Sequence, residues 1–201
     1  METILEKLAD FAQQLKFEDL PRNVVRKAND CLLDFAGCYY AAVGRDDMPK
    51  VIRGIAAINP APESRIWGTD LKCGIAEAAL AMGTAGYYLE YDDGISVSGH
   101  WGSASIPATF LSVAQSGGKD LITAIVTAYE VGCRISRMFS PRLLKKHIHF
   151  PCTMGAFGAA AGYAKGAGLS ARQLAGALSL AGLFPVGTYS TATGGASGKS
   201  L

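Results

Sequence analysis

The 201-residue chain is 49% hydrophobic and only 18% charged, a balance that excludes intrinsic disorder and supplies ample material for a buried core. Its formal net charge of +2 is small and evenly spread, with no basic run longer than Lys145-Lys146, which argues against a nucleic-acid binder. Attraction for an acidic substrate must then come from a few placed cations.

Ile4, Leu8, Phe11 and Leu15 fall on one face of a first helix, with charges between them. Pro21 suits the first turn of a second helix, whose apolar face is Val24, Val25, Ala28, Cys31, Leu32 and Phe35. Residues 49–58 predict a short third helix, closed by Asn59-Pro60-Ala61-Pro62. Residues 64–69 (SRIWGT) are the one convincing extended piece. A small-residue helix over 75–88 runs into the polar loop 90–102. Helices follow near 105–116, 120–138 and 152–167, and Ser170 with Gln173 forms a capping-box signature for a last helix to about 184. No strand alternation recurs, so the pattern predicts an all-α bundle in one domain spanning 1–201. Gly158, Gly162 and Gly166 each cost helix propensity of about 1 kcal/mol relative to Ala. Close approach of a neighbouring helix over a glycine groove is the expected compensation.

The five cysteines (Cys31, Cys38, Cys73, Cys133, Cys152) form no CxxC pair and are odd in number, which reads as reduced thiols in a cytoplasmic protein. The acidic start lacks the layout of a signal peptide. The uncharged stretch 173–198 carries Pro185 and a Ser/Thr/Gly-rich second half, so it reads as core and not as a membrane span.

Three histidines occur. His147 and His149 form an HxH pair, which shares a face when extended and then suits a metal; a third ligand is required, and only His100 and scattered carboxylates remain. A polar pair at a loop end serving a substrate or the surface is the stronger reading. The tail 193–200 looks like a phosphate-binding loop, but Thr193 stands where the pattern wants glycine. A glycine-rich turn presenting Lys199 fits better. Glu90, Asp92 and Asp93 gather three carboxylates ahead of a small-residue loop bearing His100. A carboxylate, a histidine and glycines in one loop are what proton transfer requires, although a solvated acidic loop has the same composition.

The blocks LPRNVVRKANDCLLDFAGCYYAA, SRIWGTD, ALAMGTAGYYLEYDDG, SGHWGSASIPATFLSVAQ, LITAIVTAYEVGCRI and HFPCTMGAFGAAAGYAKGAGLSARQLAGALSLAG, in this order, resemble the MmgE/PrpD family from start to finish. The resemblance implies action on small polycarboxylates by 2-methylcitrate dehydratase, cis-aconitate decarboxylase or iminodisuccinate epimerase chemistry. It also implies a homodimer, no cofactor, and no metal or iron–sulfur cluster. It matches the chain to the family's helical domain, with the smaller lid-like α/β domain and the carboxy-terminal helices absent, so the chain alone is expected to be weakly active or inactive. Catalytic positions are matched by Glu90, His100 and His149, and substrate-binding positions by Lys199 and Asp93. Glu90 stands where aspartate is commoner, Gly94 replaces a threonine of the dehydratase and decarboxylase types, and Trp101 and Phe150 replace prolines. The expected activity is that of a hydro-lyase on a 2-methylcitrate-like acid, with epimerisation or decarboxylation of a related acid as the alternative.

Overall fold

The structure, a computed structural model, describes residues 2–95, 99–113, 117–183 and 187, and the side chains of residues 150–153 are not described. Eight helices occur among the described residues: α1 (Ile4–Gln14), α2 (Arg22–Ala42), α3 (Met48–Ala56), α4 (Ile75–Tyr87), α5 (Gly102–Ser112), α6 (Gly118–Lys145), α7 (Phe150–Gly166) and α8 (Ala171–Ala181). Two small antiparallel hairpins interrupt them, β1 (Ser64–Arg65) with β2 (Lys72–Cys73) and β3 (Gly94–Ile95) with β4 (Gly99–His100). The all-α expectation holds, and the Ser170–Gln173 capping box forms as its spacing predicts. No helix among the described residues is long and apolar enough to cross a membrane.

The face that α1 buries differs from the predicted one. Ala9 and Ala12 are buried, whereas Ile4 and Phe11 are exposed. Small side chains let α1 lie close against α7 and α8, which turns the larger apolar residues outward. Lys165 of α7 then donates to the carbonyls of Gln13 (2.9 Å) and Leu15 (2.8 Å), satisfying acceptors that the end of α1 cannot pair itself. The uncharged stretch read as core is also only half so where it is described: α8 buries Leu174, Leu178 and Ala181, while Leu180 and Leu183 are exposed.

On the other side of the molecule, α2 buries Ala28, Cys31, Phe35, Tyr39 and Ala42. The SRIWGT segment folds over this helix. Tyr39 donates to the Trp67 carbonyl at 2.6 Å, and the Trp67 ring meets Phe110 of α5 edge-on at 4.6 Å.

Helix α5 lies at the centre, against α2, α4, α6 and α7. Its approach to α7 runs over the predicted glycines. A Cβ at Gly162 would collide with Thr109 Oγ1 and Ala128 Cβ, one at Gly166 with Ser112 Oγ, and one at Gly158 would come within 2.6 Å of Ser105 Oγ. On the α4 side, Pro107 has no N–H to give the Ser103 carbonyl, and a Cβ on Gly83 would lie only 2.8 Å from that oxygen. Trp101, fully buried at the start of α5, fills the space that Gly132 of α6 provides: a Cβ there would meet its ring at 2.7 Å.

These contacts predict opposite signs for two glycine replacements in urea denaturation. Gly162→Ala should destabilise by about 1–3 kcal/mol through overpacking, despite its gain in helix propensity. Gly37→Ala, on the exposed face of α2 with nothing within 4 Å of the new methyl, should stabilise by up to about 1 kcal/mol. Stabilisation at both positions would mean that the groove is not tightly packed.

Candidate active site

The loop between α4 and α5 is tied down by two consecutive carboxylates. Asp92 is buried, and its Oδ2 accepts from the backbone N–H of Ser103 (3.1 Å) and from the Ser103 hydroxyl (2.6 Å). Asp93 Oδ1 accepts from the backbone N–H of Gly102 at 2.7 Å. Both acids thus satisfy N–H groups in the first turn of α5, where no intrahelical acceptor exists and the helix dipole favours negative charge. The hairpin closes on the same point, because Trp101 N–H donates to the Asp93 carbonyl at 3.0 Å.

His100 lies in β4, opposite Gly94 of β3. Its Nδ1 is 2.9 Å from the Asp92 carbonyl oxygen and 3.1 Å from Asp92 Oδ1. Two oxygens of one residue facing Nδ1 assign the proton of the neutral ring to that nitrogen, so the basic lone pair is on Nε2. The histidine side chain is 31% exposed while that of Asp92 is 0% exposed, so a solute reaches the imidazole and not its carboxylate. The Tyr87 ring stands edge-on to the imidazole at 5.5 Å. Such a pair, an orienting carboxylate behind a reachable imidazole, is suited to moving a proton.

Asp93 faces the other way. Both of its oxygens lie 3.0 Å from the Tyr129 hydroxyl of α6, and its backbone N–H donates to Asp34 Oδ2 of α2 at 2.8 Å. Burial pushes the Asp93 carboxyl above its ordinary value; hydrogen bonds from Cys31, Tyr129 and Gly102 oppose that rise, and nearby Asp34 adds to it. Burial, then Asp93, pushes the Cys31 thiol up to about 12, and burial likewise pushes the Cys133 thiol up to about 12, which disfavours the thiolate at both.

The other expected site residues are placed as follows. Glu90 is exposed, at the end of α4, with the left-handed backbone of a helix terminus (φ 54°). His149 is buried at the N-cap of α7, its backbone N–H donating to the Gly187 carbonyl at 3.1 Å, and α7 lies against β4, which carries His100. His147 is exposed, so the HxH pair does not present both rings to one environment. Among the described residues no group of three or more potential ligands assembles for a metal. Lys199 and the phosphate-loop lookalike fall outside the described residues. At Gly94, a Cβ would come within 2.8 Å of the Gly99 carbonyl oxygen, so the hairpin is built around a residue with no side chain at this position.

The sequence profile of the MmgE/PrpD N-terminal domain matches residues 6–201. The chain belongs to the MmgE/PrpD family. Among curated relatives, it is 26% identical to the cis-aconitate decarboxylase of Aspergillus terreus over 201 residues, 96% of this chain and 41% of that protein. It is 28% identical to the cis-aconitate decarboxylase-like protein oryM of Aspergillus oryzae over 178 residues, 83% of this chain and 37% of that protein. The chain spans about two fifths of the length of these relatives.

Sequence reasoning does not single out three side chains that the candidate site uses: Asp34, Ser103 and Tyr129. Asp92 is visible as part of the acidic run. Asp34 lies on the exposed side of α2 next to buried Phe35 and gives no signal, and Tyr129 looks like any core aromatic of a long helix.

The raised Asp93 carboxyl makes stability pH-dependent with a definite sign. The native state holds this proton more tightly than the unfolded chain, so stability falls as pH rises from the unfolded value, about 4, through the raised native value. Above that window the penalty is fully present. Asp93→Asn removes the titration, so its stability relative to the parent protein should improve as pH rises across the window, followed by urea denaturation at several pH values. A parent protein that gains on the variant over the same range would contradict the assignment.

Proposed function

We propose that this chain supplies the proton-transfer part of the active site of a lyase acting on a small polycarboxylic acid, read first as a 2-methylcitrate-like hydro-lyase. The observation that carries the reading is the buried Asp92 carboxylate set against Nδ1 of the partly exposed His100. In this reading, Nε2 of His100 takes a proton from a carbon next to a substrate carboxylate. The neighbouring C–OH bond breaks, its electron pair leaves with the hydroxyl, which takes the proton back from the His100 imidazolium to depart as water, and a C=C bond forms. Charge that builds on the substrate's carboxylate is met by His149 and Lys199, and cationic or N–H donors aimed there lower the barrier. Glu90, exposed on the same loop, is assigned with His100 to proton transfer. Asp93 is kept as a substrate-side position only through its neighbours, since its oxygens are engaged by Tyr129 and Gly102.

A second reading is decarboxylation, favoured by the names of the two relatives. There the bond to one carboxylate breaks, carbon dioxide leaves, and the carbanion takes a proton from the imidazolium of His100. Gly94 in place of threonine fits the epimerase branch as well. The proposal places the intact protein in the cytoplasm as a homodimer working without cofactor.

The test is to incubate the intact protein with 2-methylcitrate and with cis-aconitate and follow the products by proton NMR. Turnover of one of them is expected, with His100→Ala and His149→Ala each reducing it by about tenfold to a thousandfold. Near-normal turnover in both variants would sink the site assignment. Activity is also expected to survive prolonged chelation, because His147 and His149 do not converge on one environment. Loss of activity restored by one divalent ion would show that reading to be wrong.

A further inference from the structure

One peptide group joins α2 to the candidate base. The carbonyl of Asp92 faces His100 Nδ1 at 2.9 Å, and the N–H of the same peptide, belonging to Asp93, donates to Asp34 Oδ2 at 2.8 Å. We propose that Asp34 is a positioning residue for His100, acting through the Asp92–Asp93 peptide to hold the imidazole in its Nδ1–H form. A peptide N–H that donates to a carboxylate leaves its carbonyl more negative and a better acceptor, because hydrogen bonds in a chain polarise one another. The acceptor strengthened here is the one that meets Nδ1–H. Holding the proton on Nδ1 keeps the basic lone pair on Nε2, the nitrogen that a substrate needs.

Geometry makes the link specific to Asp34. Asp93 has four further ties, to Cys31, Tyr129, Gly102 and the Trp101 N–H. The first three engage its side chain and the fourth its own carbonyl, so none of them touches the 92–93 peptide. Asp34 alone among these partners bonds to that peptide's N–H. Tyr129 anchors the loop, whereas Asp34 sets the electron distribution at the carbonyl facing the histidine.

The inference rests on the reading of His100 as the proton-transfer group, and its test reads the imidazole without any substrate. With three histidines in the chain, long-range proton–nitrogen NMR of the folded protein resolves each ring. At a pH where the ring is neutral, His100 of the parent protein should be Nδ1–H. Asp34→Ala should turn it into a mixture of tautomers. Asp34→Asn keeps an acceptor oxygen and should retain the Nδ1–H form, while the Asp93 amide proton and the His100 Nδ1 proton both move upfield. Tyr129→Phe should lower the melting temperature and leave the His100 spectrum unchanged. If Asp34→Ala does not fold, the paired shift in Asp34→Asn carries the test. The proposal is overturned if folded Asp34→Ala keeps the parent tautomer, if the Asp93 amide moves in Asp34→Asn without the imidazole proton, or if Tyr129→Phe disturbs His100 as much as Asp34→Ala. In the intact protein, Asp34→Ala should lower kcat by about tenfold to a hundredfold with KM within about twofold. An intact protein inert toward both acids would defeat the proposed reaction and leave the spectral result standing.

Discussion

Two adjacent carboxylates on one helix start are the constraint from which the site follows. Asp92 and Asp93 satisfy successive N–H groups at the start of α5 and turn to different partners. Asp92 faces the imidazole of His100, and Asp93 faces Tyr129 of α6. A single aspartate could cap the helix. It takes two to cap it and also lock the loop against α6 while a buried carboxylate stands behind the histidine.

That arrangement requires α5 to be held rigidly, and the rest of the fold does so. Small residues on α7 let it come into direct contact with α5, where Gly158, Gly162 and Gly166 are each opposed by a Ser or Thr side chain. Gly83 of α4 closes on the other side over the Ser103 carbonyl, in the same residue whose N–H and hydroxyl hold Asp92. The Trp101 ring, between His100 and Gly102 in sequence, is fully buried against α6 and α7. A large buried ring at this junction makes the loop-to-helix transition rigid.

Much of this is legible in the amino-acid order itself. Helical periodicity locates the eight helices of the described residues to within a few positions at most ends, and the glycine spacing on α7 correctly signals close packing. His100 and the acidic run stand out together because few residue types can move protons and these are concentrated in one loop. What sequence does not show has physical reasons. The buried face of α1 escapes the pattern because Ala9 and Ala12 carry a weaker periodic signal than Ile4 and Phe11. The β3–β4 hairpin is only two residues per strand, too short for alternation to register. The roles of Asp34 and Tyr129 depend on contacts across 59 and 36 residues of chain, which local pattern does not encode. Local sequence also does not say which acid of the loop turns inward; the caps on α5 decide it for Asp92.

The most direct test of the account is the structure of the intact protein crystallised with a slowly reacting or inert tricarboxylate. The account predicts the ligand on the exposed side of His100, with Nε2 toward a carbon next to a carboxylate, Nδ1 still on Asp92, and no contact between the ligand and the Asp92 carboxylate. A ligand bound away from His100, or an imidazole turned off Asp92 when the site is filled, would contradict it.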